Sequence, residues 1–144
     1  MLKEISAGII IYRKTEEGPK FLVLYHRGSY WNFPKGKIEL EEKSFQTAIR
    51  EIKEETGLSR DDLKFNQSFR AYEKFNFWRK IDDKPQRVFK IAIFYLAETK
   101  RADIRLSKEH GGYGWFTYRE ALKILSKHKD SQRVLRQAHE TLRK

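Results

Sequence analysis

The middle of the chain has the hydrophobic spacing of an amphipathic helix. Apolar side chains recur there at positions i, i+3, i+4 and i+7, as one buried stripe requires: Phe45, Ala48, Ile49 and Ile52. The spacing predicts a helix over about residues 43–56. Gly57 follows directly, and a glycine at this position commonly ends a helix.

Runs of β-branched and aromatic residues on both sides of this helix predict strands. Before the helix, residues 5–13 and 21–26 form two such runs, separated by a polar turn. After it, residues 63–78 predict a long strand or a bent pair of strands. Residues 79–86 are polar and predict a loop, and residues 88–97 form the most apolar strand of the chain.

The last third of the chain is predicted to end in two helices. Residues 99–113 are a charged loop, which leads to a short strand at residues 114–116. Thr117 and Glu120 have the spacing of a capping box, which predicts a helix start. Asp130 is predicted to cap a final helix whose inward side chains follow helical spacing: Val134, Leu135, Ala138 and Leu142.

Together these elements predict an α/β (α+β) fold, with a mixed sheet and helices on both faces. The 144 residues are enough for one domain, residues 1–144, that buries about two thirds of its unfolded surface. The chain has no cysteine, so no disulfide contributes to its stability. Because the sequence has neither a secretion leader nor a long apolar run, we expect a cytoplasmic monomer with no membrane contact.

Three carboxylates share a second face of the central helix, beside the apolar stripe. At about 100° per residue, Glu51, Glu54 and Glu55 lie close together near the helix C-terminus. Like charges repel there, and the last helical turn favours cations. A divalent cation would remove both penalties, and ligands that are all oxygen favour Mg²⁺ or Mn²⁺.

The charge of the whole chain favours polyanionic partners. Lys and Arg number 31 against 20 Asp and Glu, so the formal net charge is +11. A positive field of this size speeds encounter with phosphate-rich molecules. Both nucleotide substrates and RNA meet that description.

The segment from Gly36 to Leu58 matches a known pattern of catalytic residues. Its fixed positions are Gly36, Glu42, Arg50, Glu51, Ile52, Glu54, Glu55, Gly57 and Leu58. The segment resembles the Nudix box, residues 36–58, without a departure from the family's pattern. The resemblance implies the Nudix α/β/α sandwich and a hydrolase that uses Mg²⁺ or Mn²⁺ to cleave a diphosphate linkage in a nucleotide.

The same resemblance implies roles for individual residues. Glu51 and Glu55 match metal ligands, and Glu54 matches either a ligand or the general base. Which glutamate is the base stays open. The backbone carbonyl of Gly36 matches a further ligand, and Glu109, from a loop after the last long strand, is a candidate for another.

Three further expectations concern Arg50, Gly36 and His110. Arg50 is implied to pair with Glu42 and so to hold the preceding loop against the helix. Gly36 is expected to make a turn that only glycine makes cheaply. His110 is expected to be exposed to solvent rather than catalytic, and no histidine has ligand spacing.

The flanks of the box resemble the asymmetrical diadenosine tetraphosphate hydrolases of this family. The matching features are Trp31-Asn32-Phe33-Pro34-Lys35-Gly36, Lys90, Arg105-Leu106-Ser107-Lys108-Glu109-His110, Tyr113 and Trp115. By this resemblance Lys35 and Lys90 contact the phosphate chain, with Lys90 also counted as catalytic. Tyr113 and Phe77 are implied to sandwich an adenine, although core packing is an equal alternative for Phe77. Tyr30 departs from the group, which often has a histidine before the tryptophan.

The resemblance therefore implies cleavage of a dinucleoside tetraphosphate to ATP and AMP. Three alternatives stay open: an RNA 5′-pyrophosphohydrolase, a pyrophosphatase that removes oxidised nucleoside triphosphates, and a Nudix module that binds nucleotides without cleaving them. The complete box argues against the last of these, because such modules usually have degraded boxes.

Overall fold

The computed structural model describes residues 2–27 and 30–144, and a sheet of eight strands forms the middle layer of this part. The strands are β1 (Leu2–Thr15), β2 (Gly18–His26), β3 (Tyr30–Asn32), β4 (Lys35–Lys37), β5 (Lys64–Phe65), β6 (Ala71–Ile81), β7 (Lys84–Glu98) and β8 (His110–Thr117). The helices are α1 (Ser44–Thr56), α2 (Tyr118–Ile124) and α3 (Lys129–Arg143), with a short 3₁₀ helix at Arg60–Asp62.

The sheet is mixed, as the sequence predicts. Its main path runs β3-β2-β1-β7-β5, with β4 beside β1, β6 beside β7 and β8 beside β2. The central pair, β1 and β7, is parallel from Leu2 opposite Val88 to Tyr12 opposite Glu98. The other pairings are antiparallel.

Helices cover both faces of the sheet, so the predicted fold class is confirmed. One buried cluster joins α1, through Ala48 and Ile52, to the β1 residues Ile9 and Ile11. On the other face, α2 and α3 pack on a second cluster that contains Ile10. Consecutive isoleucines of β1 thus face opposite layers, as the period of two in a strand requires.

The central helix begins and ends close to the predicted bounds. Its N-terminal turn is closed by Gln46 Oε1, which accepts a hydrogen bond of 2.8 Å from the backbone N–H of Lys43. Gly57 ends the helix with φ at +78°, in the left-handed region that glycine adopts readily. The capping box of Thr117 and Glu120 is also formed, with both reciprocal hydrogen bonds.

Several predicted boundaries were wrong. The polar segment 79–86 is no loop: β6 and β7 continue through it and turn at Asp82 and Asp83, whose φ values are +51° and +62°. Its residues are polar because this end of the hairpin is exposed on both faces. Similarly, β8 begins at His110 rather than at residue 114.

The last helix also begins differently from the prediction. Its N-cap is His128, and Asp130 lies in the first turn. The Asp130 carboxylate instead accepts a hydrogen bond of 3.2 Å from the backbone N–H of Lys74 on β6. Arg133 donates to the carbonyl of Tyr72, so α3 protects the free edge of β6 from pairing with another strand.

In the described part of the chain, no helix combines the length and the apolar composition needed to span a membrane.

Candidate active site

Gly36 places strand β4 directly against the acidic face of α1. A Cβ atom at this position would overlap the Glu51 carboxylate. Gly36 lies in β4 and is not among the residues with positive φ, so the prediction of a glycine-only turn was wrong. Glycine is required here because the Glu51 carboxylate occupies the space that a side chain would fill.

Arg50 connects the loop before α1 to the helix, as predicted. Its Nε and Nη2 donate to the two oxygens of Glu42 at 2.7 and 3.0 Å. Hydrogen bonds from Arg50, followed by one from the Glu39 N–H, lower the pKa of Glu42 to about 2. Arg50 Nη2 also donates to the carbonyl of Lys37, the last residue of β4. The loop between β4 and α1 is therefore held at both ends.

The same guanidinium holds two of the three clustered glutamates. Arg50 Nη1 donates to Glu51 at 2.8 Å and to Glu54 at 3.3 Å. The Glu51 side chain is 16% exposed and that of Glu54 is 56% exposed. Burial raises the pKa of Glu51, against the opposing effect of Arg50, and the charges of Glu54 and Glu109 raise it further.

Glu55 is the most buried carboxylate of the cluster. Burial is the main cause that raises its pKa to about 8, and the charges of Glu51, Glu109 and Glu54 contribute in the same direction. Its Oε1 atom is buried and has no hydrogen-bond partner among the described residues. Such a group is costly unless something else satisfies it. The charge of Glu109 acts on both buried glutamates, so this loop residue is near enough to interact with them, and its role as a metal ligand stays a prediction.

His110 is buried, which contradicts the prediction that it is exposed to solvent. Only 2% of its side chain is accessible, and its Nε2 lies 3.6 Å from Glu55 Oε2. Its Nδ1 is 3.1 Å from the hydroxyl of Ser107. The sequence carried no signal for this burial, because it follows from the pairing of His110 with His26 across β8 and β2.

A pocket with a volume of about 350 Å³ lies on the face of the sheet that α3 covers. It is lined by Tyr30, Asn32, Phe33, Lys35, Glu73, Phe75, Asn76, Phe77, Lys90, Phe94, His128 and Ser131. The pocket combines aromatic walls with two lysines. Of the predicted substrate-binding residues, it brings together Lys35, Lys90 and Phe77.

Buried charged side chains line this pocket. Lys35 Nζ lies 3.8 Å from Glu73, which in turn accepts a hydrogen bond of 2.6 Å from the Ser131 hydroxyl. Burial lowers the pKa of Lys35, the charge of Glu73 opposes that change, and the charge of Lys90 adds to it. The two lysines are thus close enough to repel each other. An anion between them would be stabilised by both.

Tyr113 and Phe77 do not form the predicted sandwich. Tyr113 pairs with Leu24 and so lies on the sheet face that α1 covers, as Leu24 does. Phe77 is on the opposite face, because it alternates in phase with Ala71, which packs on the α3 side. The sequence could not show this, since the two rings are related only through four intervening strand pairings.

Sequence reasoning missed the other aromatic walls of the pocket. Tyr30 stacks on His26 with the ring planes 4° apart, and its edge contacts His128 with centroids 5.7 Å apart. Phe75 lies 5.9 Å from Lys35 Nζ. Strand alternation could have identified Phe75, which is two residues from Phe77. Nothing in the sequence indicated His128.

Comparison with known proteins agrees with this geometry. A family model of the NUDIX domain matches residues 2–138. The chain belongs to the Nudix family. The asymmetrical bis(5′-nucleosyl)-tetraphosphatase of Sus scrofa is 34% identical to this Nudix chain, over 95% of the chain and 94% of the relative.

Two further proteins are similar to this chain. The crystal structure of a C. elegans Ap4A hydrolase binary complex has a TM-score of 0.78 and 29% identity, and the match covers 96% of this chain and 97% of that one. An RNA pyrophosphohydrolase of Salmonella arizonae is 29% identical, over 61% of this chain and 55% of the relative. The chain is a Nudix pyrophosphohydrolase related to the asymmetrical tetraphosphatases.

Nudix hydrolases use divalent metal ions, and the residues of this site fit such an ion. The donor set is all oxygen, which suits a hard cation, and the orphaned Oε1 of Glu55 would gain a partner. Among residues 2–27 and 30–144, no three His, Cys, Asp or Glu side chains converge on a single point, and Arg50 holds Glu51 and Glu54. These glutamates, with Glu55, Glu109 and the Gly36 carbonyl, are the groups available to hold metal.

Proposed function

We propose that this Nudix hydrolase cleaves dinucleoside tetraphosphates asymmetrically with Mg²⁺, so that diadenosine tetraphosphate and water give ATP and AMP. Mn²⁺ would serve in the same place. The observation that carries the proposal is the position of Lys35, which connects the pocket to the acidic cluster. Lys35 lines the pocket, and the next residue, Gly36, touches Glu51. The charge of Glu55 also acts on Lys35, so a phosphate bound by Lys35 lies near the acidic cluster.

The pocket is suited to hold one nucleoside of such a substrate. Phe77, Phe75, Tyr30 and His128 offer ring faces on which a base stacks, an interaction worth about 1–3 kcal/mol per base. This assignment replaces the pairing of Phe77 with Tyr113. We assign Tyr113 no contact with that base, because its ring lies on the other face of the sheet.

The two lysines are placed to bind the phosphate chain. Lys35 is fixed by Glu73, so its ammonium group loses little freedom when a phosphate approaches. Lys90 brings a second positive charge to the same pocket. Together they hold the chain so that one end extends toward Glu51, and they stabilise the charge that develops on the leaving phosphate.

The carboxylates complete the reaction centre. Glu51, Glu54 and Glu55 would hold a divalent ion, which would neutralise phosphate oxygens and lower the pKa of a water. In the hydrolysis, the water oxygen forms a bond to phosphorus while the bridging P–O bond breaks, and the water gives up a proton. Glu54 is the most exposed of the three clustered glutamates and is the best placed to accept that proton.

Adjacent residues on β6 provide a matched test of the pocket. Phe77→Ala should raise KM for diadenosine tetraphosphate about tenfold, because it removes one stacking surface. Trp78→Ala is the control, since its side chain points to the opposite face of the same strand. Steady-state kinetics of both variants decide the matter. Equal KM values for Phe77→Ala and the wild type would remove Phe77 from the substrate pocket.

A second candidate is hydrolysis at the triphosphorylated 5′ end of RNA. Two observations favour it: the relative named RNA pyrophosphohydrolase and the net charge of +11. Salt dependence separates the two activities, because contacts with many phosphates weaken steeply as ionic strength rises. Hydrolysis of a dinucleotide should depend on salt much less.

A further inference from the structure

The hairpin of β6 and β7 has one face that no role in hydrolysis explains. It is formed by alternate residues of β6 (Tyr72, Lys74, Asn76, Trp78 and Lys80) and by their cross-strand partners on β7 (Pro85, Arg87, Phe89, Ile91 and Ile93). We call these residues the hairpin face. Its β6 side chains alternate with Phe75 and Phe77, so the face lies on the side of the sheet opposite to the substrate pocket; Asn76, between those two residues, also borders the pocket.

Two aromatic rings on this face are exposed to solvent. Trp78 is 69% exposed and Tyr72 is 39% exposed. Tryptophan is highly buried on average, so an exposure this large indicates a binding surface. The two residues are six positions apart on one strand, and their side chains are therefore about 20 Å apart along it.

Every charged strand position on the hairpin face is a cation. Lys74 and Lys80 flank Trp78 along β6, and Arg87 lies directly opposite it on β7. Lys3 extends the row onto β1, where it pairs with Phe89. Among the residues that the structure describes, none of these four cations takes part in an ion pair. The acids next to these cations on the strands, Glu4 and Glu73, alternate onto the opposite face, and Asp82 and Asp83 lie in the turn.

We propose that the hairpin face binds single-stranded nucleic acid, with bases stacked on Trp78 and Tyr72 and phosphates held by the surrounding cations. Exposed aromatic rings set among lysines and arginines are the combination by which sheet surfaces hold single strands. The net charge of +11 acts in the same direction. The proposal is independent of which nucleotide the pocket hydrolyses.

Charge also argues against a second copy of the chain as the occupant. A symmetric dimer through this face would bring the four cations of each copy against the same four of its partner. Like charges meeting at an interface cost several kcal/mol in total by general experience with protein complexes. A polyanion instead gains from each cation.

The test uses the full chain and an oligouridylate of about 12 nucleotides with a 5′-hydroxyl, which offers no phosphate chain to the active site. Fluorescence anisotropy gives its dissociation constant over a range of salt. Trp78→Ala should weaken binding about tenfold, and Trp78→Phe should retain most of it. Lys80→Glu should weaken binding and make the salt slope shallower by about one.

A cation outside the face supplies the matched control. Lys123→Gln removes an exposed positive charge from α2 and should leave affinity within about twofold. Circular dichroism checks that each variant is folded. Hydrolysis of diadenosine tetraphosphate by Trp78→Ala should equal that of the wild type, so failure of this proposal is separable from failure of the proposed function.

Two results would overturn the proposal. One is an oligonucleotide affinity that is the same for wild type and Trp78→Ala. The other is a wild-type dimer, seen by sedimentation velocity, that Trp78→Ala dissociates. That result would assign the face to self-association.

Discussion

Individual side chains at this site are constrained by space as much as by charge. The Nudix box has glycine at residue 36, and in the structure the Glu51 carboxylate fills the space that a side chain there would need. Arg50 likewise serves two groups at once, since it fixes Glu42 and also contacts Glu51. Small changes at these positions therefore move the Glu51 carboxylate, which we propose binds the metal, without touching the metal or the substrate directly.

Gly36→Ala is predicted to lower kcat/KM by about 100-fold while the protein stays folded. The added methyl group overlaps Glu51, which must turn away, and displacement of a reacting group by about 1 Å costs this much. The control is Gly112→Ala, whose new Cβ meets only Tyr25 at 4.0 Å. Full activity in Gly36→Ala would show that the position of Glu51 is unimportant.

The contact between helices α2 and α3 depends on pH. On α3, His139 stacks on Tyr118 of α2, with ring centroids 3.8 Å apart and planes 2° apart. Burial, with a smaller effect of Arg143 and against that of Glu140, lowers the pKa of His139 below its ordinary value of 6.5. The neutral ring is therefore the form that the packed helices favour.

Acid is predicted to weaken the packing of α3. Because the pKa of His139 is lower in the folded state, its contribution to stability is present above pH 6.5 and is lost as pH falls below that value. His139→Phe keeps an aromatic ring and removes the titration. Between pH 7.5 and 5.5, the free energy of unfolding should therefore fall less in this variant than in the wild type. One titrating group changes this free energy by at most about 1.4 kcal/mol per pH unit, so the difference between the two proteins should be a part of that. Denaturant titrations at both pH values measure the free energy of unfolding. An equal loss of stability in His139→Phe and the wild type would contradict the role given to His139.

Across the whole molecule, local patterns were predictable from the sequence and long-range juxtapositions were not. The bounds of α1 follow from hydrophobic spacing over a few turns, and the Arg50–Glu42 pair follows from the motif. The sandwich of Tyr113 and Phe77 failed because strand order decides which sheet face each ring occupies. The burial of His110 depends in the same way on the register of β8 against β2.

The hairpin at Asp82 and Asp83 is a place where the local sequence pattern itself gave a wrong prediction. Its polar residues match a loop, yet they continue two paired strands, because a hairpin exposed on both faces needs no hydrophobic alternation. That same exposure places Trp78 and its neighbouring cations in solvent. The part of the sheet that was predicted least well is thus the part that carries a second binding surface in our account.

A comparison of substrates tests the central claim most directly. The purified chain with Mg²⁺ is given diadenosine tetraphosphate, 5′-triphosphorylated RNA or nucleoside triphosphates, and kcat/KM and products are measured for each. Glu54→Gln, expected to lose several orders of magnitude in rate, controls for contaminating hydrolases. Our account predicts the highest kcat/KM for the dinucleotide, with ATP and AMP as products. A higher value for RNA, or two molecules of ADP from the dinucleotide, would contradict it.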